Sequence, residues 1–144
     1  MPDRIVVGFD GSPAARRALD FAVKLAQSQG ASIVLAYVLE WSPYSFLSNE
    51  ELAERHKRRK EEVSRAQTAV LDPVLEKLAG SGVSIEAQIR YGHSAEMLVT
   101  IARDTGATQM VVGRDGNGGL AARMFGSTAG TLVQIATLPC TIVP

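Results

Sequence analysis

"RIVVGFDGSP", residues 4–13, reads as a strand handing over to a helix. The apolar run over 4–9 ends at Asp10-Gly11, residue types that turn a chain. Ser12 then offers an N-cap oxygen. Pro13 suits the first helical position, where no backbone N–H is needed. Ala15, Leu19, Ala22 and Ala26 follow at helical spacing, and Gly30 suits a stop.

The same handover repeats outward from this stretch. "SIVLAYVL" (32–39) is a second apolar strand, followed by the loop "EWSPYSFLSN". A long charged helix is predicted from near Asn49 toward Ala79, with Val63, Ala66, Val70, Val74 and Leu78 as its apolar stripe. Pro73 should kink or split it near Asp72. "VSIEAQIR" (83–90) alternates apolar and polar residues, as a strand open to water on one face does. Ser94 is the expected cap of a helix through Arg103 that carries Leu98, Val99 and Ala102 on its apolar face, and Gly106 ends it. "TQMVV" (108–112) is apolar throughout. A glycine-rich stretch, a helix from about Thr128 to Ala136 and a last strand "CTIV" (140–143) complete the chain.

Strand–helix alternation of this kind predicts an α/β fold, a Rossmann-like open five-stranded parallel sheet with helices on both faces. Strands that are apolar throughout belong in the middle of such a sheet, and the alternating third strand belongs at an edge. Right-handed crossovers then favour the order 3-2-1-4-5. At 144 residues a single domain over 1–144 is expected.

Composition narrows the function. Hydrophobic residues make up 46% and charged residues 21%, and fifteen basic residues balance fifteen acidic ones. A net charge of zero argues against bulk nucleic-acid binding, which needs a basic surface. Cys140 is the single cysteine, so no internal disulfide forms and a reducing compartment is expected. "MPDRIVVGFDGS" lacks the long apolar core of a signal peptide, and no apolar run approaches the ~18 residues that span a bilayer. The expectation is a soluble cytoplasmic protein with no membrane partner.

In open α/β sheets, ligands bind beyond the carboxyl ends of the strands, where the winding reverses. For the order 3-2-1-4-5 that point lies between strands one and four. The loops "GFDGS" and "GRDGNGG" should therefore converge on one crevice. Gly126-Ser127-Thr128 stands just before a helix, whose N-terminus offers unpaired N–H groups to an anion. Residue types alone leave two readings open there: a phosphate cradle, or a mobile loop followed by an ordinary serine cap. There is no G-x-x-x-x-G-K-[ST] and no G-x-S-x-G. "GNGGLA" (116–121) fits G-x-G-x-x-A only loosely, and no acidic residue follows at the distance a dinucleotide ribose needs. No cluster of His, Cys or carboxylates has metal-ligand spacing.

The spacing Gly113-x2-Gly116-x9-Gly126-Ser127 resembles the G-x2-G-x9-G-[ST] motif of the universal stress protein family. "IVVGFDGS", "IVLAYV", "VVG" and "LPCTIVP" are also similar to that family, so the resemblance covers the whole chain. It implies a five-stranded parallel sheet, a homodimer through the C-terminal strand and binding of ATP; Mg2+ with the nucleotide is an open alternative that no ligand cluster in the sequence supports. It further implies that Gly8, Phe9 and Asp10 edge the adenine and ribose, and that Val38 touches the base. Val112 and Gly113 would flank base and sugar. Gly116, Gly126, Ser127 and Thr128 would hold phosphate.

The chain departs from the pattern at Arg114 and Asp115. Arg114 could clamp phosphate, whereas Asp115 would repel it unless Arg114 or a cation intervenes. The number of phosphates is therefore open. Asp10 has a plainer alternative as a turn residue. Arg123 has one as a solvated side chain, and His93 as a surface or capping residue. The run "RHKRRK" with His56 reads as a solvated helix face. Trp41, Tyr44 and Phe46 would pack on the long helix or lid the crevice, and Cys140 reads as a small strand residue.

The function that follows is a regulatory adenine-nucleotide binder in a stress response, not an enzyme. The alternatives are a weak ATP hydrolase or a binder of AMP or cyclic AMP. A phosphorylated receiver is excluded because Tyr91-Gly92 follows strand three where an acceptor aspartate would be needed.

Overall fold

The computed structural model describes residues 3–40, 48–115 and 126–144. Five strands, β1 (Arg4–Gly8), β2 (Ser32–Glu40), β3 (Ile85–Gly92), β4 (Gln109–Gly113) and β5 (Cys140–Val143), form one sheet in the order β3-β2-β1-β4-β5. Every pairing is parallel. The expected architecture and strand order are therefore observed.

Alternate residues of the inner strands feed two cores. Ile5, Val7, Ile33, Leu35 and Val111 face one side, where helix α1 (Pro13–Gln29) contributes Ala18, Leu19 and Ala22. Val6, Val34, Ala36, Met110 and Val112 face the other, against Leu98 and Ile101 of α4 (Ser94–Thr105) and Leu132 of α5 (Ser127–Ile135). This double burial is why β1, β2 and β4 are apolar throughout. Each such side chain removed from water contributes roughly 1.5–3 kcal/mol.

Helix ends follow local chemistry. The Ser12 Oγ accepts from the Ala15 N–H at 3.2 Å, Pro13 opens α1, and Gly30 closes it in a left-handed conformation with φ 67°. Helix α2 (Asn49–Arg65) starts at Ser48 with a reciprocal Ser48–Glu51 capping box. One cap differs from expectation. His93, not Ser94, stands at the N-cap of α4 and makes no side-chain cap bond. The Ser94 hydroxyl instead donates across the sheet end to Glu40 Oε1 at 2.8 Å.

The break at Pro73 takes a specific form. Residues Ala66–Leu71 form a π-helical segment between α2 and α3 (Asp72–Lys77). The Asp72 N–H reaches back five residues to the Gln67 carbonyl. The wider turn accommodates a proline ring that would strike the carbonyl four residues earlier in a regular helix. Leu71, fully buried, anchors this segment to the α1 side of the sheet.

Strand β3 runs two residues later than the 83–90 predicted. Val83 N–H is taken by Ser81 Oγ at 3.2 Å, and pairing begins at Ile85 opposite Ile33. It continues to Gly92 because β2 extends to Glu40 beside it. Tyr91 ties that end to α2. Its hydroxyl lies 2.9 Å from Glu62 Oε2 and 3.1 Å from the Arg59 carbonyl, and the Arg59 guanidinium sits 5.1 Å from its ring centre. Partial burial, then the hydrogen bond to Glu62 and the charge of that carboxylate, push the Tyr91 phenol up to about 12 against the opposing pull of Arg59. No helix among the described residues is long and apolar enough to cross a membrane.

Candidate functional site

The winding of the sheet reverses between β1 and β4, which pair directly from Ile5–Gln109 to Val7–Val111. Their carboxyl ends, Gly8 and Gly113, therefore open side by side, as the order 3-2-1-4-5 requires.

The β1 end is a braced turn. Asp10 Oδ1 accepts from the Ser12 N–H at 2.9 Å, and Gly11 takes φ 78°. Asp10 thus performs the turn role that its residue type allowed, and its half-buried carboxylate also lies near Tyr37. Burial first, then the charge of Asp10, raise the Tyr37 phenol above its ordinary value. Val70 of the π-helical segment closes over the turn, with its Cγ1 3.6 Å from where a Gly11 Cβ would stand. Nothing in the sequence pattern pointed to Tyr37 or Val70 at this place, because both reach it from elements distant along the chain.

The β4 end is tied to α5 through the main chain. The Arg114 N–H donates to the Val143 carbonyl at 2.7 Å, and the Gly126 N–H donates to the Arg114 carbonyl at 2.7 Å. These bonds fix the start of α5 against the tip of β4. Gly126 is the N-cap and has no side chain to offer, so α5 begins without a side-chain cap. Ser127 is exposed and Thr128 half-buried in its first turn. An uncapped helix start carries donor N–H groups and the positive end of the peptide dipoles.

The expected site residues fall into distinct groups. Gly8, Asp10 and Gly113 lie at the neighbouring carboxyl ends of β1 and β4, and Arg114, Gly126, Ser127 and Thr128 lie at the junction of β4 with the start of α5. Phe9 and Val112 do not present side chains there. Both are 3% exposed, on opposite cores, and the Phe9 N–H is already bonded to the Ala36 carbonyl at 2.9 Å. A base could meet only their remaining main-chain groups. Val38 is half-buried on β2, packed toward the α4 side and in register with Arg90. Gly116, Arg123, Trp41, Tyr44 and Phe46 lie outside the described residues.

The glycines also serve purposes other than a cradle. A Cβ on Gly113 would come within 2.8 Å of the Ala14 carbonyl carbon, so this glycine lets β4 approach the first turn of α1. A Cβ on Gly8 would press on Leu98 Cδ1 at 2.9 Å and Val112 Cγ1 at 3.0 Å. The Gly126 N–H is already bonded to the Arg114 carbonyl.

Arg114 and Asp115 form an ion pair, Nε to Oδ1 at 3.7 Å, with side chains 40% and 33% exposed. The Arg114 Nε is itself buried and donates no hydrogen bond among the described residues. Among those residues no three His, Cys, Asp or Glu side chains cluster as a metal site.

The universal stress protein family matches residues 1–144. Universal stress protein YxiE of Bacillus subtilis is 31% identical over 99% of both chains. The chain belongs to the universal stress protein family. Universal stress protein Rv2624c of Mycobacterium tuberculosis is 34% identical over 96% of this chain but 47% of its own, so the chain spans about half the length of that relative. Solved universal stress proteins share the fold. UspA from Lactobacillus plantarum superimposes with a TM-score of 0.84 at 22% identity, covering 99% of this chain and 97% of that one. A universal stress protein in complex with cAMP gives 0.69 at 23%, covering 99% and 96%. The Archaeoglobus fulgidus protein in complex with dAMP gives 0.63 at 19%, covering 100% and 98%.

Proposed function

We propose that this universal stress protein binds an adenine nucleotide in the β1–β4 crevice and acts as a regulatory module in a stress response, in a reducing, cytoplasmic setting that a lone Cys140 suits. The observation that carries the reading is the uncapped start of α5, held against the β4 tip by the Gly126–Arg114 bond. A phosphate group would take the place of the missing cap, accepting from the first-turn amides of α5, with Ser127 and Thr128 adding hydroxyl donors. Adenine and ribose would lie toward Gly8, Asp10 and Val38. Complexes of related folds with cAMP and dAMP support an adenine ligand. Asp10 braces its own turn, which suits binding and positioning better than hydrolysis. ATP, with or without Mg2+, belongs to this proposal as one candidate among the adenine nucleotides. Calorimetric titration of the purified protein should show binding in the micromolar range, about 8 kcal/mol. Absence of heat with all of ATP, ADP, AMP and cyclic AMP would remove the proposal.

The proposal includes a homodimer through β5. Among the described residues this strand pairs only with β4, and its four residues are all half-buried rather than buried. Val133 and Ile135 of the preceding helix are 56% and 38% exposed. An unpaired apolar edge is most simply covered by a second copy. Sedimentation velocity should give the mass of two chains, and a single-chain mass at high concentration would refute the pairing.

A further inference from the structure

We infer that β3 is a second self-association surface: its outer edge pairs antiparallel with β3 of another copy, about a two-fold axis at Gln88, with Glu86 of each copy against Arg90 of the other. This edge is the one opposite β5, and the inference does not depend on the nucleotide site.

The main chain defines the edge. Among the described residues β3 pairs only with β2. The Ile33 N–H donates to the Ser84 carbonyl at 2.9 Å, so Ser84 points its carbonyl at β2. Main-chain groups alternate sides along a strand. Glu86, Gln88 and Arg90 therefore also direct theirs to β2, while Ile85, Ala87, Ile89 and Tyr91 turn theirs outward. Two devices that commonly blunt an edge are missing. Residues 83–92 contain no proline, and the ladder with β2 runs without a bulge from Ile85 to Gly92.

The side chains choose the occupant and the register. Glu86, Gln88 and Arg90 share the α4 side with Val34, Ala36 and Val38, their register partners on β2. Ile85, Ala87 and Ile89 share the α1 side. The polar row reads negative, neutral, positive. An antiparallel copy turned about Gln88 therefore sets Glu86 against Arg90 twice. The same turn sets Ala87 against Ile89 and Ile85 against Tyr91, so apolar meets apolar on the other face. It also puts the outward main chains of 85, 87, 89 and 91 into the hydrogen-bonded pairs, as an antiparallel ladder requires. Glu86 and Arg90 then form the non-hydrogen-bonded pairs, whose Cα atoms stand about 4.5 Å apart with side chains close together. Moving the axis by one residue puts Gln88 against Arg90 or Glu86 and loses both ion pairs. Within one copy Arg90 donates to Gln88 Oε1 at 3.0 Å and meets Asp104 of α4 at 3.8 Å. The Arg90–Asp104 contact is partly exposed and long, and a guanidinium has donors enough for a second carboxylate. Because the seam is polar on one face, it forms at high protein concentration and joins two-chain units into larger assemblies.

The test uses Gln88→Cys as a reporter in the full chain. On the axis the two introduced thiols face each other at a separation a disulfide can bridge. Mild oxidation at high protein concentration should link chains through 88–88 disulfides, identified by peptide mass spectrometry apart from any link through Cys140. Adding Glu86→Arg to the reporter sets arginine against arginine at both sites and should slow that linking about tenfold. Adding Arg90→Glu as well restores opposite charges and should return the rate to within about twofold of the reporter alone. Circular dichroism verifies that each variant keeps the fold. A reporter that gives no 88–88 link overturns the inference. So does a link that Glu86→Arg leaves equally fast, or one that the charge swap fails to restore, since Glu86 and Arg90 would then not face each other. The β5 pairing is untouched by these changes, so its own sedimentation test stands or falls separately.

Discussion

Leu71→Ala is expected to lose about 2–5 kcal/mol of stability, because it empties a fully buried side-chain site that backbone on a π-helical segment can only partly close. Leu71 is the one wholly buried large residue on the excursion from α2 to α3. Around it Val70, Val74, Leu75 and Leu78 are only partly buried against the same core. Without Leu71 that excursion keeps its rim contacts and loses its anchor. For a domain of this length the loss corresponds to a fall in melting temperature on the order of 10 °C. Thermal and urea unfolding of parent and variant would measure it. A loss below about 1 kcal/mol would mean that the segment is not seated on the sheet as described. Because Val70 lies over the Asp10–Ser12 turn, the same variant should also weaken ligands that depend on that turn, if the crevice is the nucleotide site.

Gly113→Ala should also destabilise the fold, by about 1–3 kcal/mol, even though glycine at this place resembles a ligand-cradling residue. The added methyl would meet three atoms of Ala14 at 2.8–2.9 Å, two of them in the backbone. Backbone at the first turn of α1 cannot swing aside as a side-chain end can. Either β4 or α1 must shift, and Ala14 is itself 3% exposed. Chemical denaturation of the ligand-free variant measures the effect. Stability equal to the parent's would show that α1 and β4 are not in such close approach. The contrast with Gly8 is informative, since its Cβ would meet only the ends of Leu98 and Val112, which can adjust.

Much of the fold was legible along the chain. Unbroken apolar runs marked β1, β2 and β4 as doubly buried. The alternation of Val83, Ile85, Ala87 and Ile89 marked an edge strand, and β3 is one. Ser12, Pro13 and Gly30 marked the bounds of α1 within a residue. The candidate site was legible as a place, because strand order alone locates the reversal between β1 and β4. It was less legible residue by residue. Asp10 carried both a turn reading and a ligand reading, and its bond to Ser12 establishes the first without removing the second. Phe9 sits next to Gly8 in sequence, yet strand alternation turns its side chain into the core. Ser94 looked like a cap until Glu40, on a neighbouring strand, proved to be its partner.

The sequence by itself determined the alternation of elements, the strand order and the family, because periodic burial and turn chemistry are written within short windows of the chain. Tertiary structure alone decided which glycines serve packing and which amides are already bonded. Gly113 answers to Ala14 and Gly126 to Arg114, and Arg114 is held in turn by Val143. Those partners meet only after the sheet is assembled. The short-range steric and hydrogen-bond forces that choose among them act across distances of about 3 Å in space, whatever their separation along the chain.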